Sequence, residues 1–326
     1  MPIVQITLVE GRDDQVVARC IKEVARTVSA SLGAPLETVR VVVTEVPADR
    51  WAVGDVLKSE AAASRGGVGW TIESAADVLL AAEAERRDRG RLTDEWPELD
   101  LATAYAVQRR LVEKLVERGE QVVGVKLGLT SEAKQRRMGI SSPLTAVLTD
   151  GYRLEVGEPL RVDELIHPRV EPEIVFVMGR RLEGPGITAE SALDAVASVQ
   201  AGLEVIDSRF TDFSFALPDV VADNASSARF VVGGETLRPD QLDLAAEPCR
   251  LTVNGEVVDT ATGAAVQGHP AEALALAANA LAERGEAIEA GQIVLTGGLT
   301  DAVFIHPGDT VAVEFEHLGT LALTAE

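Results

Sequence analysis

The chain has few cysteines and no long apolar run, and each shortage excludes a class of protein. Its 326 residues include two cysteines, Cys20 and Cys249, which lie too far apart for a metal-binding pair and suit a reducing compartment. No apolar stretch approaches the roughly 18 residues that a membrane span needs. The first residues carry no basic region of the kind that begins a secretory signal. We therefore expect a cytoplasmic protein without disulfides, zinc or membrane association.

Positive charge is scarce as well. The chain has 30 lysines and arginines against 52 acidic residues, which gives a net charge of −22. Such a surface repels nucleic acid and anionic membranes, so we expect neither as a partner. No glycine-rich nucleotide-binding motif and no Ser-His-Asp order is found. A small acidic substrate would have to be bound by individual arginines and lysines.

The apolar pattern predicts two domains of the α+β class. Residues 3–9 and 39–46 read as strands, and between them the apolar residues fall on one helix face, which predicts a β-α-β unit over residues 1–60. That unit is too small to bury a core alone, so we expect a homo-oligomer. Residues 61–70 are glycine-rich and read as a linker.

Residues 71–326 predict a larger domain built on a curved mixed sheet. Helical patterns over residues 71–89 and 101–118 precede many short strand-like runs. Further helical insertions are expected near residues 191–200 and 271–284. Strands interrupted by helices in this way favour an α+β arrangement.

A proline follows the first methionine, and cationic side chains accompany it. If Met1 is removed, Pro2 carries a free secondary amine, and the sequence supplies Arg12, Arg40 and the aromatic Trp51 to surround it. An ordinary α-amino group has a pKa of about 8, and nearby arginines with an apolar wall lower it toward neutrality. Such an amine can take and return protons. The alternative is that the proline only begins a strand.

Three glutamates suggest a divalent metal site. Glu171 and Glu173 alternate on a predicted strand, so their carboxylates project from one face, and Glu204 follows in a later segment. Three carboxylates with further positions left to water suit Mg²⁺ or Mn²⁺. The alternative is a solvated sheet face. The apolar neighbours of the pair favour a buried strand, where a metal would compensate the charges.

Two further segments place polar residues among apolar ones. Lys126 lies in GVKLGLTS, and Asp223, Asn224 and Ser226 lie in DVVADNAS. Each segment is a polar insertion among apolar residues near the predicted metal site. Lys126 is alternatively a lysine extending from a strand edge, and Asp223 with Asn224 alternatively forms a turn.

Residues 2 to about 60, from PIVQITLVEGRDD through APLETVRVVVTEV to RWAVGD, resemble the 4-oxalocrotonate tautomerase family. The resemblance implies that Pro2 shuttles protons and that Arg12 and Arg40 bind the carboxylate and oxo groups of the substrate. Trp51 occupies the position of a phenylalanine in that family's apolar wall.

Residues from about 71 to 326 resemble the decarboxylase and hydratase branch of the fumarylacetoacetate hydrolase superfamily. The matching stretches are GVKLGLTS, HPRVEPEIVFV, LEVIDSR, LPDVVADNASS and VLTGGLTDAV. The resemblance implies a mixed β-roll, magnesium bound by the three glutamates, and Lys126 and Ser226 in the substrate pocket. We therefore interpret Lys126 as catalytic, and Ser226 with its neighbours Asp223 and Asn224 as substrate-binding. Leu144 replaces an aspartate that some relatives carry.

Together the resemblances imply one chain that ketonises the dicarboxylate 2-hydroxymuconate at Pro2 and then decarboxylates the product at a metal site. The ketonisation must come first, because only the oxo form offers a conjugated sink for the electrons released with carbon dioxide. Three alternatives remain: a hydratase in the C-terminal domain, an N-terminal unit that serves assembly alone, and a binding protein without turnover.

Overall fold

The structure is a computed structural model that describes residues 2–9, 14–53, 56–57, 69–130, 135–136 and 143–326. Contacts within the chain divide it into two compact units, residues 1–69 and 70–326. Most of the predicted linker lies outside the described residues, and so does Arg12. Within the described ranges, no helix is long and apolar enough to cross a membrane.

The N-terminal unit is the predicted β-α-β arrangement. Strand β1 (Ile3–Val9) leads to helix α1 (Asp14–Leu32) and strand β2 (Arg40–Val46), and a short hairpin of β3 (Ala52–Val53) and β4 (Val56–Leu57) follows. Gly33 ends α1 in the left-handed conformation, with φ at +62°, which glycine adopts without strain. β1 and β2 are parallel, with Ile3 opposite Arg40. The prediction of this unit is confirmed.

Helices open the C-terminal unit. They are α2 (Ile72–Glu85), α3 (Leu92–Glu95) and α4 (Leu101–Glu117). Thr71 caps α2 through a reciprocal bond with Ser74, and the Asp100 carboxylate accepts from Thr103 N at the start of α4. Their apolar faces pack on the large sheet through Leu79 and Leu111, which cluster with Leu148 and Phe230.

The large sheet contains eight described strands in the order β6-β5-β13-β8-β9-β10-β7, with β14 paired to β8. Their bounds are β5 (Val122–Gly128), β6 (Leu144–Thr149), β7 (Arg153–Leu154), β8 (Arg169–Met178), β9 (Val196–Ile206), β10 (Ser227–Leu237), β13 (Ile293–Leu295) and β14 (Val303–Phe304). A second sheet runs β12-β11-β15-β16, with β11 (Pro248–Val253), β12 (Glu256–Thr262), β15 (Thr310–Phe315) and β16 (Thr320–Thr324). Helices α5 (Ala189–Leu193), α6 (Leu217–Ala222) and α7 (Pro270–Ala282) interrupt the strands. The α+β class is confirmed.

One helical prediction is wrong. Of the segment near residues 191–200, only the part within α5 is helical, and from Val196 onward the chain forms β9. β9 lies between β8 and β10 in the sheet and pairs with both of them. Pairing on both sides overrides the local helical preference of its alanines. The helix predicted at residues 271–284 is confirmed as α7.

Candidate functional site

Two neighbouring strands bring three carboxylates together. Glu171 and Glu173 lie on the same face of β8, and the antiparallel register sets Glu171 opposite Glu204 on β9. One oxygen from each of the three lies within 4.8 Å of the others. Glu173 and Glu204 are buried, at 0% and 2% exposed. We call these three side chains the glutamate cluster.

The described residues do not fully compensate the buried negative charge of the glutamate cluster. Burial, reinforced by the charges of Glu204 and Glu171, raises the pKa of the Glu173 carboxyl well above its ordinary value. Glu173 Oε2 accepts a hydrogen bond from Gly297 N at 2.7 Å, but among the described residues Oε1 has no partner although it is buried. Such an atom is costly to bury unpaired. Hard carboxylate oxygens suit Mg²⁺ or Mn²⁺, so the residues present fit a divalent cation.

A buried lysine stands beside the cluster. Lys126 on β5 is 3% exposed, and its Nζ lies 2.6 Å from Glu204 Oε1. The same ammonium donates to the Ala225 carbonyl at 2.8 Å. β5 lies between β6 and β13, so the interpretation of Lys126 as a residue at a strand edge is wrong. Pairing with a carboxylate makes burial of the ammonium tolerable.

The Ala225 carbonyl belongs to a turn in a rare conformation. Asn224, Ala225 and Ser226 all have positive φ, at 48°, 51° and 58°. Residues other than glycine adopt this region only where the surroundings enforce it. The Asn224 amide does so by accepting from Val147 N and donating to Val147 O, both at 2.9 Å. The turn thereby fixes the acceptor that holds Lys126.

Arg209 stabilises the same turn through hydrogen bonds. Its guanidinium is 2% exposed and binds Asp223 Oδ1 through Nε at 2.5 Å. Its other nitrogens donate to the carbonyls of Asp207, Ser227 and Asp223. Burial raises the pKa of Asp223 to about 6, although the Arg209 charge and hydrogen bonds oppose this rise. Ser226 Oγ lies 3.2 Å from the remaining Asp223 oxygen.

Asp223 and Asn224 hold the turn in place. Both are fully buried, and their side chains bind Arg209, Ser226 and Val147. Contact of Asp223 and Asn224 with substrate, which the sequence suggested, stays a prediction. Lys126 and Ser226 do line the cavity described next.

A cavity of about 600 Å³ opens onto the cluster. Lys126, Leu144, Glu171, Glu204 and Ser226 contribute to its wall. Sequence reasoning missed Arg169 and Phe213, which also line it. The signal for Arg169 was its place two residues before Glu171 on the same strand face. Phe213 gave no signal, because it comes from a loop.

The candidate site of the N-terminal unit is less complete. Arg40 N donates to the Pro2 carbonyl at 2.9 Å, so Pro2 and Arg40 share one end of the parallel pair. The Arg40 guanidinium is exposed and donates to the carbonyls of Glu37 at 2.6 Å and Val39 at 3.2 Å. β2 begins with Arg40 at this end and finishes with Val46 at the opposite end, and Trp51 comes five residues after Val46. Arg12 lies outside the described residues.

Comparison with known families matches both units. Residues 133–325 match the family model for the fumarylacetoacetate hydrolase C-terminal domain, and residues 2–61 match that for tautomerase enzymes.

Individual relatives cover the larger unit. The chain is 44% identical to a 4-oxalocrotonate decarboxylase of Pseudomonas sp. (strain CF600) over 74% of this chain and 92% of the relative. It is 37% identical to a 2-hydroxyhexa-2,4-dienoate hydratase of Comamonas testosteroni over 77% of this chain and 96% of the relative.

A solved structure is similar over the same region. It is that of 4-oxalocrotonate decarboxylase from Pseudomonas putida G7 complexed with magnesium and adipate. The TM-score is 0.77 and the identity 40%, over 78% of this chain and 97% of that one. The chain therefore belongs to the fumarylacetoacetate hydrolase family and carries, over residues 2–61, a domain of the tautomerase family.

Proposed function

We propose that the chain is a bifunctional enzyme that ketonises 2-hydroxymuconate to 2-oxo-3-hexenedioate and decarboxylates this product to 2-hydroxypenta-2,4-dienoate. The observation that carries the proposal is the buried glutamate cluster, with Lys126 beside it, opening onto a cavity. Similarity to decarboxylases at 42–44% identity, against 37% for the hydratase, supports decarboxylation.

In the first step Pro2 acts as base and acid. Its amine takes the proton of the 2-hydroxyl group and returns a proton to C5, so the dienol becomes a 2-oxo acid with a C3=C4 double bond. Arg40 suits a substrate carboxylate because its guanidinium stays charged and its planar fork matches two oxygens. Arg12 would bind the remaining carboxylate or oxo group.

In the second step the C5–C6 bond breaks and carbon dioxide leaves. The electron pair of that bond forms C4=C5, the C3=C4 pair moves to C2=C3, and negative charge collects on the C2 oxygen, which then takes a proton from water to become the 2-hydroxyl group. Glu171, Glu173 and Glu204 would hold Mg²⁺, with Mn²⁺ also suited, and the ion supplies positive charge that stabilises this oxygen. Lys126, fixed by Glu204 and Ala225, orients the anionic end of the substrate. Ser226 contacts the substrate from the cavity wall.

A hydratase is the second candidate for the C-terminal unit, and the Comamonas relative favours it. Leu144 argues for the decarboxylase, because an apolar side chain at this position cannot activate water. Product analysis separates the two. Conversion of 2-hydroxypenta-2,4-dienoate to a hydrated product, without carbon dioxide release from 2-oxo-3-hexenedioate, would replace the decarboxylase with the hydratase.

We also propose that the chain forms a homo-oligomer in the cytoplasm. Ile3 is 58% and Val42 48% exposed in the N-terminal unit, which favours coverage by further copies. Cys20 and Cys249 are free, which suits a reducing compartment. An N-terminal unit that served assembly alone would not need Pro2 and Arg40 at one end of its sheet.

The test uses the full chain with 2-hydroxymuconate and Mg²⁺, following dienol absorbance and carbon dioxide together. Pro2→Ala is expected to slow ketonisation by about 10²- to 10⁴-fold, as loss of a general base does. Carbon dioxide release from 2-oxo-3-hexenedioate should persist in this variant. Unchanged ketonisation, or intact-mass data showing Met1 retained in active enzyme, would refute the role of Pro2.

A further inference from the structure

Arg169 lies in the cavity but has no part in the steps above. It begins β8, two residues before Glu171, and its side chain lies on the same strand face as the glutamate cluster. The guanidinium carbon lies 4.0 Å from the ring centre of Phe213 and 4.3 Å from that of Phe304. Two aromatic rings thus pack against one cation.

The Arg169 guanidinium is packed against two aromatic rings, but among the described residues it has no carboxylate partner. Its Nε is buried, and among the described residues it has no hydrogen-bond partner and forms no ion pair with a carboxylate. A cation between rings is attracted by them but keeps its N–H groups free, because those groups lie in its plane. The edge of the guanidinium is therefore left for a ligand with two acceptor oxygens.

We propose that Arg169 binds the second carboxylate of the substrate, the one remote from the glutamate cluster, and so selects dicarboxylates. The proposal rests on the proposed function of the same cavity. Arg169 and Glu171 are separated by about 6.5 Å along the strand. The end carbons of a six-carbon diacid are separated by five bonds of about 1.5 Å, so an extended chain spans a similar length.

This role affects binding more than the bond-breaking step. The remote carboxylate loses its charge as it becomes carbon dioxide, so its attraction to Arg169 weakens toward the transition state. An interaction of that kind lowers KM and fixes the C5–C6 bond relative to the oxo group, but it does not lower the barrier. Loss of Arg169 should therefore raise KM for 2-oxo-3-hexenedioate more than it lowers kcat.

The decisive experiment measures binding and not turnover. The Mg²⁺-loaded full chain is titrated calorimetrically with adipate and with hexanoate, which has the same length and one carboxylate. We expect the wild type to prefer adipate by at least about tenfold, the contribution of one charge-assisted hydrogen-bonded pair. Arg169→Met should bind the two with equal affinity while hexanoate binding stays unchanged. Arg169→Lys, which keeps the charge without the planar fork, should retain part of the preference.

Controls separate this role from a structural one. Arg153→Met removes an arginine from β7, at the edge of the same sheet, where the side chain is 46% exposed, and should keep the full preference. Mn²⁺ affinity, followed by electron paramagnetic resonance, should be the same in Arg169→Met as in the wild type. If Arg169→Met does not fold, Arg169→Gln decides by the same ratio.

A failure of the role of Arg169 can be distinguished from a failure of the proposed function. An undiminished preference for adipate in Arg169→Met, or in Arg169→Gln if it is used instead, overturns the role of Arg169 and leaves the decarboxylase intact. A wild type that releases no carbon dioxide from 2-oxo-3-hexenedioate overturns the proposed function, whatever the binding ratio.

Discussion

In the C-terminal unit the charged groups of the candidate site are buried and joined to one another, whereas in the N-terminal unit they lie at an exposed sheet end. Glu173, Glu204 and Lys126 are each at most 3% exposed, and Lys126 contacts Glu204 directly. Arg40 is exposed, and within the described ranges its guanidinium donates to the carbonyls of Glu37 and Val39. Among the described residues, the C-terminal unit thus holds a buried group of joined charges, whereas the N-terminal unit presents Pro2 and Arg40 at one end of its sheet.

The difference teaches what each site depends on. A buried ionic site depends on every partner, because removing one leaves an uncompensated charge in a low dielectric. An exposed site depends on the groups that come to cover it, and its own residues contribute little to stability. Substitution of a buried charged residue in the C-terminal unit should therefore lower the stability of the protein. Substitution of an exposed charged residue in the N-terminal unit should lower activity and leave stability nearly unchanged.

The largest expected effect is that of Glu173→Gln. The amide cannot replace a carboxylate in the cluster, so we expect Mn²⁺ binding and carbon dioxide release to fall by more than about 100-fold. Ketonisation at Pro2 should be unaffected. Mn²⁺ titration and the two assays measure these quantities, and full decarboxylation in the presence of excess EDTA would contradict a metal role for the cluster.

The next comparison sets Arg209→Met against Arg40→Met. Arg209→Met leaves the Asp223 carboxylate buried without its partner, and we expect a loss of about 3–5 kcal/mol in the free energy of unfolding. Arg40→Met should reduce ketonisation with little change in stability, because its guanidinium is exposed. Urea unfolding followed by circular dichroism measures both variants.

A double variant shows whether the unpaired charge is the cause. Arg209→Met with Asp223→Asn removes the charge as well as its partner, so it should recover part of the lost stability. If the double variant is less stable than Arg209→Met alone, the packing of the arginine and not its charge would explain the loss.

The local sequence pattern was sufficient to predict the structural features that depend on residues close together in the chain. The apolar spacing gave α1, and alternation put Glu171 and Glu173 on one face. Glu204 was a candidate as a third carboxylate, but its position opposite Glu171 depends on the register of β8 with β9, which no local pattern contains.

The rest depends on contacts between distant parts of the chain. Arg209 binds Asp223, fourteen residues away, and Arg169 is packed by a loop phenylalanine and by Phe304 from another strand. The helix wrongly predicted at residues 191–200 has the same origin, since its strand form requires two partners in the sheet. Sequence periodicity describes one element at a time, so it cannot show a side chain that is fixed by two others.

The smallest expected effect concerns a titrating pair that contributes to neither candidate site. His317 Nδ1 lies 2.6 Å from Glu247 Oε2, and this hydrogen bond with the buried carboxylate raises the pKa of His317 above its ordinary value. The unfolded imidazole titrates at about pH 6.5, so the stabilisation is complete below that pH and is lost as pH rises through the higher folded value. His317→Gln should flatten the stability profile over this window and leave both activities unchanged. Urea midpoints measured from pH 5 to 9 test this, and a slope that survives the substitution would assign the pH dependence to other groups.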